Sequence, residues 1–378
     1  MLRKKILLFP LANVLGHLSR TLALAEQLCK EGQDVYVSAS DYYANLFEFV
    51  DPRITILPSI EMYADATKSF GQISYAKDGN VNESALLEAS THLETPELER
   101  RGKLLKKIID RDTEIIEHVC PDVIVLDYHY APLLIPKTKE IPLFCISHKI
   151  GYPTLCHRVH GEYPYPLNEN TILVPGIDRF ENSEIEHDSD TIKNKWMLCG
   201  MFSWEGWQQI QKVPEKNDIF LFFGSTGCSE KLTPWFIDKL PSDYKLSYVG
   251  QQKDDQFLNL RSYLKQTSLV ICHGGHETVM ECIKQKKPMI IIPNNLEQLE
   301  IGRRVEKLKL GVLLTQPYHT IDIKALTDTI EELTHNQEVK SNLASFANDL
   351  AQCDGAKIAA NIIMAKLYNK VAGEIIEK

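Results

Sequence analysis

The chain has no uninterrupted apolar run of about 18 residues, so no transmembrane helix is expected. It has no surplus of positive charge. Its 42 Lys and Arg stand against 51 Asp and Glu, a net charge of −9, which argues against sequence-independent nucleic-acid binding. It has no Cys-x-x-Cys pair. The nine cysteines (Cys29, Cys120, Cys145, Cys156, Cys199, Cys228, Cys272, Cys282, Cys353) are scattered, and their odd number fits reduced thiols better than a disulfide framework or a zinc site. No Gly-x-Gly-x-x-Gly opens either half, which weighs against a dinucleotide-binding dehydrogenase, and no Gly-x-Ser-x-Gly elbow supports a serine hydrolase. Internal repeats and low-complexity tracts are also missing.

At the N-terminus, Arg3-Lys4-Lys5 before Ile6-Leu7-Leu8-Phe9 imitates a signal peptide. Pro10, Asn13, Gly16 and His17 break the apolar run, however, and no small-residue cleavage site follows. A first buried strand is the better expectation, and with it a cytoplasmic protein, peripheral at the inner membrane face at most.

The 378 residues suit two domains of ordinary size, with 44% apolar and 25% charged residues as in a soluble globular protein. An apolar β-run over 5–9 leads into a helical pattern (Leu18, Leu22, Leu24, Ala25, Leu28) and then into Val35-Tyr36-Val37, the βαβ unit of a parallel sheet. Val123 to Leu126 and Leu143 to Ile146 predict further buried strands, with a short helix between them. A second series starts at Ile219-Phe220-Leu221-Phe222-Phe223. Leu246 to Val249, Leu269 to Cys272, Met289 to Ile292 and Val312 to Leu314 continue it, alternating with helical patterns. The expected organisation is an N-terminal Rossmann-like domain over 1–205, a second over 206–355, and a closing helix over 356–378. Residues 60–96 carry no sustained periodicity and read as a long functional or connecting loop. The stretch 97–118 carries Arg100, Arg101, Lys103, Lys106 and Lys107 beside Leu104, Leu105, Ile108 and Ile109. It reads as a solvated amphipathic face that could also rest on an anionic membrane.

The densest signal is His273-Gly-Gly-His-Glu-Thr-Val-Met-Glu281, followed by Pro288-Met-Ile-Ile-Ile-Pro293 and then Glu297-Gln298. A strand ending in a glycine turn with a helix starting at once presents free N–H groups and a helix dipole to a phosphate. Glu281 lies one helical turn further in, where a carboxylate can accept from ribose hydroxyls. Glu297 and Gln298 follow the next strand and can address a second polyol. A diphosphate with a sugar at each end is a nucleotide sugar.

Gly16-His17 follows the first strand, where open α/β sheets bind ligands, and a histidine titrates in the range that suits proton abstraction. Asp127 ends another strand of the same domain and could hold that histidine in one tautomer. Asp110-Arg111-Asp112, inside a helical pattern, and Asp188-Ser189-Asp190, in a polar loop, are poor carboxylate sets for a metal–diphosphate site. Metal-independent chemistry is expected.

These motifs make the chain resemble the GT-B fold glycosyltransferases of the UDP-glycosyltransferase superfamily over nearly its whole length. That family carries Gly-His after the first strand and an aspartate partner at the end of a later one. Its donor signature reads His-x-Gly-x-x-Ser/Thr-x-x-Glu, then Pro, four residues, Pro, three residues, and an acidic residue before Gln. His273, Gly275, Thr278, Glu281, Pro288, Pro293, Glu297 and Gln298 match that register without a gap.

The resemblance implies two Rossmann-like domains facing each other across a cleft, with the closing helix crossing back to the first. It implies an inverting sugar transfer with His17 as base and Asp127 as its partner. His273 and Thr278 would meet the diphosphate, Glu281 the ribose, and Glu297 with Gln298 the donor sugar, while Ser225 would be a further phosphate contact. Two positions depart from the pattern. Phe257 stands where family members often stack a tryptophan on uracil, and Glu277 replaces a small or amide residue beside the phosphates. The expected donor is a UDP-sugar and the acceptor a small aglycone, a glycan or a lipid-linked sugar. A nucleotide-sugar epimerase or hydrolase, or a non-catalytic nucleotide-sugar-binding subunit, are the competing readings of the same scaffold.

Overall fold

The computed structural model describes residues 3–11, 14–60, 95–150, 170–181, 196–206, 216–224, 229–248 and 259–376, with backbone only for 95–101 and 369–376. The first half builds a sheet from β1 (Lys5–Pro10), β2 (Asp34–Ala39), β3 (Ile54–Pro58), β4 (Val123–Asp127), β5 (Leu143–Ile146), β6 (Thr171–Val174) and β7 (Trp196–Leu198). All neighbours pair in parallel, in the order β3-β2-β1-β4-β5-β6-β7. The second sheet contains β8 (Ile219–Phe222), β9 (Leu246–Tyr248), β10 (Leu269–Cys272), β11 (Met289–Ile291) and β12 (Gly311–Leu313). It is also parallel, in the order β12-β11-β10-β8-β9.

Parallel sheets bury both faces, and the near-continuous apolar strands follow from that. Along β1 the alternation decides which layer each side chain joins. Ile6 and Leu8 point into the cluster shared with helix α1 (Leu15–Lys30), while Leu7 and Phe9 join Ile115, Ile116 and Val119 of helix α2 (Thr95–Val119) on the opposite face. In α2 Ile108, Ile115, Ile116 and Val119 turn inward and Leu104 and Ile109 are half-buried, while Leu105 is exposed with Lys103, Lys106 and Lys107. The acidic pair suggested by Asp110 and Asp112 splits on the same helix: Asp112 is buried against His129, Nε2 to Oδ2 2.7 Å, and Asp110 is exposed.

Several local expectations change. Between β4 and β5 the chain makes two 3-10 turns, Ala131–Leu134 and Pro136–Glu140, rather than one helix. The residue before a proline is pushed out of the α region, and Ile135 accordingly sits extended (φ −92°, ψ 118°). His17 lies in the first turn of α1 rather than in the preceding loop. Strands β3, β6 and β7 were not anticipated. Residues 61–94 of the long aperiodic segment and Asp188-Ser189-Asp190 fall outside the described residues.

The remaining helices of the second half are α4 (Ser229–Lys239), α5 (Leu260–Gln266), α6 (His276–Lys284), α7 (Leu296–Lys307), α8 (Ile323–His335) and α9 (Gln337–Ala351); a single turn, α3 (Asp178–Glu181), follows β6 in the first half. The last helix, α10 (Gly355–Ile376), packs on α1 of the first half. Ala356, Ala359, Ala360, Ile363 and Leu367 lie in the same cluster as Leu18, Leu22 and Cys29. Its three alanines allow a close helix–helix approach. At its start a Cβ on Gly355 would lie 2.1 Å from the carbonyl oxygen of Gly200, itself at φ +92°. Gly355→Ala should therefore cost stability by about 1–3 kcal/mol, the usual penalty for overpacking. Chemical denaturation checks this, and an unchanged midpoint would show that the helix start can shift freely.

Candidate functional site

In each sheet the strand order reverses once, between β1 and β4 and between β8 and β10. Such reversal points open a crevice at the carboxyl ends of the strands. Both crevices carry the sequence-predicted residues.

At the first, Pro10 of β1 pairs in register with Asp127 of β4, so the strand ends lie side by side. Helix α1 starts five residues after β1, and His17, Arg20 and Thr21 follow at helical spacing on one face. All three reach the same carboxylate. His17 Nδ1 lies 2.7 Å from Asp127 Oδ1, Arg20 Nε donates to Oδ2 at 2.6 Å, Arg20 Nη2 donates to Oδ1, and Thr21 Oγ1 donates to Oδ2 at 3.3 Å. Arg20 and Asp127 are 2% and 1% exposed, so this is a desolvated ion pair. Burial raises the Asp127 carboxyl, but Arg20 and His17 outweigh it and hold it at about 2. Burial and then Arg20 lower His17 against the opposing pull of Asp127, leaving a neutral imidazole near pH 7. The ring of Tyr128 stands 4.9 Å from that of His17, centroid to centroid, on a backbone at φ +57°.

At the second crevice, β8 runs into Gly224 (φ +69°) and β10 into His273. The backbone is pressed onto the imidazole: a Cβ on Gly224 would lie 2.9 Å from His273 Cε1, and one on Gly275 would lie 2.7 Å from Nε2. Burial lowers His273 to about 4, so it is neutral. Gly274 supplies the positive φ of +84° that turns the chain into α6. Gly275 caps α6 without a side chain, and Val279 is the first N–H bonded within it, to Gly275 O at 3.0 Å. The N–H groups of His276, Glu277 and Thr278 lack intrahelical partners, which is the anion-binding geometry the sequence predicts.

Glu281 is 4% exposed. One oxygen, Oε1, accepts from Arg261 Nε at 2.7 Å, while Oε2 is buried without a partner among the described residues. Glu277 packs against the other domain, its Cβ 3.5 Å from where a Cβ on Gly16 would stand. Its Oε2 is likewise buried and unpartnered. Burial and the charge of Glu281 raise Glu277 to about 8, against Arg20, Arg261 and Lys284. Gln298 Oε1 accepts from Asn294 N at 2.8 Å in the first turn of α7.

Glu297 meets the first half. His148 Nδ1 donates to Ile150 O at 2.6 Å, so its Nε2, 3.3 Å from Glu297 Oε1, can donate to that carboxylate only as an imidazolium. Burial lowers His148, but Glu297 and Glu181 outweigh it and raise it; Glu297 is held at about 2 despite its burial. His148 stacks on His276 at 4.5 Å, and His276 Nε2 lies 2.6 Å from Glu181 Oε1. Arg20, Tyr128, His148, Glu181 and Arg261 were not singled out by sequence. An arginine three residues after a histidine is ordinary on a helix, and only the burial of its partner, far along the chain, marks it. Ser225 and Phe257 lie outside the described residues. Among the described residues no cluster of three or more His, Cys, Asp or Glu side chains is arranged to hold a metal ion.

Residues 243–357 match the glycosyltransferase family 28 C-terminal domain. The NDP-glycosyltransferase YjiC of Bacillus subtilis (strain 168) is 22% identical over 93% of this chain and 94% of its own length. Among solved structures, the calicheamicin glycosyltransferase CalG4 superposes with a TM-score of 0.68 at 15% identity, covering 98% of this chain and 100% of that one. The glycosyltransferase SsfS6 of Streptomyces sp. SF2575, in complex with thymidine diphosphate, gives 0.63 at 16% identity, over 96% and 100%.

The first crevice can be tested through stability alone. Asp127→Ala leaves the Arg20 guanidinium buried without its counter-charge and should cost about 3–5 kcal/mol. Replacing both partners together, Arg20→Met with Asp127→Leu, should cost less than Asp127→Ala does. A double variant less stable than Asp127→Ala in urea denaturation would show that the pair is not the element being lost.

Proposed function

We propose that this chain, a glycosyltransferase of GT-B type whose donors are nucleoside-diphosphate sugars, transfers its sugar with inversion and without a metal, His17 acting as general base. The observation that carries this reading is the facing of the two crevices: His17 on its buried aspartate at one switch point, the uncapped start of α6 at the other, and Glu277 lying where a Cβ on Gly16 would touch it, between them.

The acceptor hydroxyl lies over the first domain. His17 takes its proton as the oxygen attacks the anomeric carbon from the face opposite the leaving group. One new C–O bond forms and the bond to the phosphate oxygen breaks, so the anomeric configuration inverts. Asp127 supports the imidazolium that forms. The nucleoside diphosphate leaves into the free N–H groups and positive end of α6, with His273 and Thr278 beside it, which supplies the charge stabilisation that a cation would otherwise provide. Glu281 offers Oε2 to the ribose while Arg261 holds Oε1. Glu297 and Gln298 address the donor sugar, and Ser225 and Phe257 complete the phosphate and base contacts. The base itself is uracil in this reading. Thymidine diphosphate, seen with SsfS6, is the competitor to test beside it.

General-base help is typically worth about 10²–10⁴-fold, so His17→Ala should lose activity on that scale. Nucleoside-diphosphate affinity, measured by calorimetry with EDTA present, should stay within a factor of about two. A His17→Ala enzyme with full transfer activity would remove the base from this account. Glu277 gives a pH signature. With its carboxyl held up to about 8, it is neutral at pH 7 and ionises above that value, where its charge opposes the diphosphate. Donor affinity should fall as pH rises through 8, and Glu277→Gln should flatten that dependence. A wild-type affinity that is constant from pH 7 to 9 would place Glu277 away from the phosphates.

A further inference from the structure

The base of the first crevice has three members, not two. Asp127 is engaged on both edges by Arg20, Nε to Oδ2 at 2.6 Å and Nη2 to Oδ1, before His17 is counted. His17 Nδ1 lies 2.7 Å from Asp127 Oδ1 and equally 2.7 Å from Arg20 Nη2. The guanidinium has only donors, so it cannot accept from a protonated Nδ1. A proton on Nδ1 therefore goes to Oδ1, and the fixed charge of Arg20 stands beside the ring that must become positive when Nε2 takes the acceptor's proton. In an aspartate–histidine pair without such a neighbour, the carboxylate would serve the imidazolium alone.

We propose that Arg20 is a positioning residue for the base: it clamps Asp127 in one orientation and sets its own charge beside the His17 ring, so that the carboxylate serves two cations rather than one. The proposal rests on His17 being the base. The clamp follows from helix geometry, since Arg20 stands one turn after His17 on the face that meets the end of β4. The groups facing His17 are Arg20 from its own helix, Asp127 and Tyr128 from the end of β4, and Glu297 from α7 across the cleft; Glu277 of α6 packs next to it on Gly16. Of these, Arg20 alone is a fixed cation. Its effect has a definite sign. Burial and then Arg20 disfavour the imidazolium, so the acid limb of kcat/KM lies below the range of an ordinary histidine, and Arg20 is the part of that shift a substitution can remove. Removing Arg20 leaves Asp127 to His17 alone, favours imidazolium, and moves the limb to higher pH.

The test compares the full-length wild type with Arg20→Met and Arg20→Lys. Two quantities are read: the kcat/KM profile between pH 5 and 9, and the His17 imidazole titration by NMR, assigned by its disappearance in His17→Asn. In Arg20→Met the ratio of kcat/KM at pH 6 to that at pH 8 should fall by roughly tenfold or more, the scale of one neighbouring charge. Arg20→Lys, which keeps the charge without the two-edged clamp, should hold the ratio closer to wild type. If Arg20→Met does not fold, the wild-type titration decides: a His17 midpoint at or above that of a free histidine overturns the proposal. So does an Arg20→Met enzyme that is weakened equally at every pH and whose His17 midpoint has not moved, which is what a purely structural clamp would give. If the NMR midpoint moves as stated while the rate profile does not follow it, the role of Arg20 stands and His17 is not the base.

Discussion

The Asp127 carboxylate is the constraint around which the first half is arranged. It is buried, ionised and placed where β1 and β4 separate, and an ionised group there is stable only if it is surrounded by donors. Helix α1 supplies them at one-turn spacing through His17, Arg20 and Thr21. That requirement fixes the rotation of α1 about its axis. It also sets which face of α1 turns away from the site, and on that other side Leu18 and Leu22 receive the alanines of α10. The chain's last helix therefore packs against the element that carries the candidate base.

The second half solves a different electrostatic problem. Immediately around the start of α6 it collects backbone donors and neutral side chains: an uncapped helix start, a histidine pushed down to about 4 and a glutamate pushed up to about 8, with the charged pairs Arg261–Glu281 and His148–Glu297 further out. A helix start flanked by neutral groups suits an anion that must both arrive and depart. The contacts between halves combine one ion pair with hydrogen bonds. His148 with Glu297 and His276 with Glu181 cross the cleft, and Arg304 of α7 donates to the carbonyl oxygens of Phe180 and Arg179.

The strands of both sheets were legible because parallel strands buried on both faces are written as apolar runs, as in Ile6 to Phe9 and Leu269 to Cys272. Strands β3, β6 and β7 were not: Thr55 and Thr171 shorten the apolar stretches of β3 and β6, and each of the three has a partly exposed position, so none is written as a fully buried run. The donor signature could be read in register because the glycine turn, the helix start and the next strand are contiguous in the chain. Arg20, His148 and Arg261 were invisible for the opposite reason: each takes its meaning from a partner more than 15 residues away in sequence or across the cleft. Sequence also gave Glu281 to the ribose whole, whereas Arg261 already occupies one of its oxygens.

The central claim is an inverting, metal-independent transfer. The direct measurement is proton NMR of the first product formed from an α-linked nucleoside-diphosphate sugar in EDTA, with a small phenol as acceptor or with water where no phenol is taken. The account predicts that the sugar appears first in the β configuration and at an undiminished rate. A sugar delivered with its α configuration retained, or a reaction abolished by EDTA and restored by a divalent cation, would contradict it.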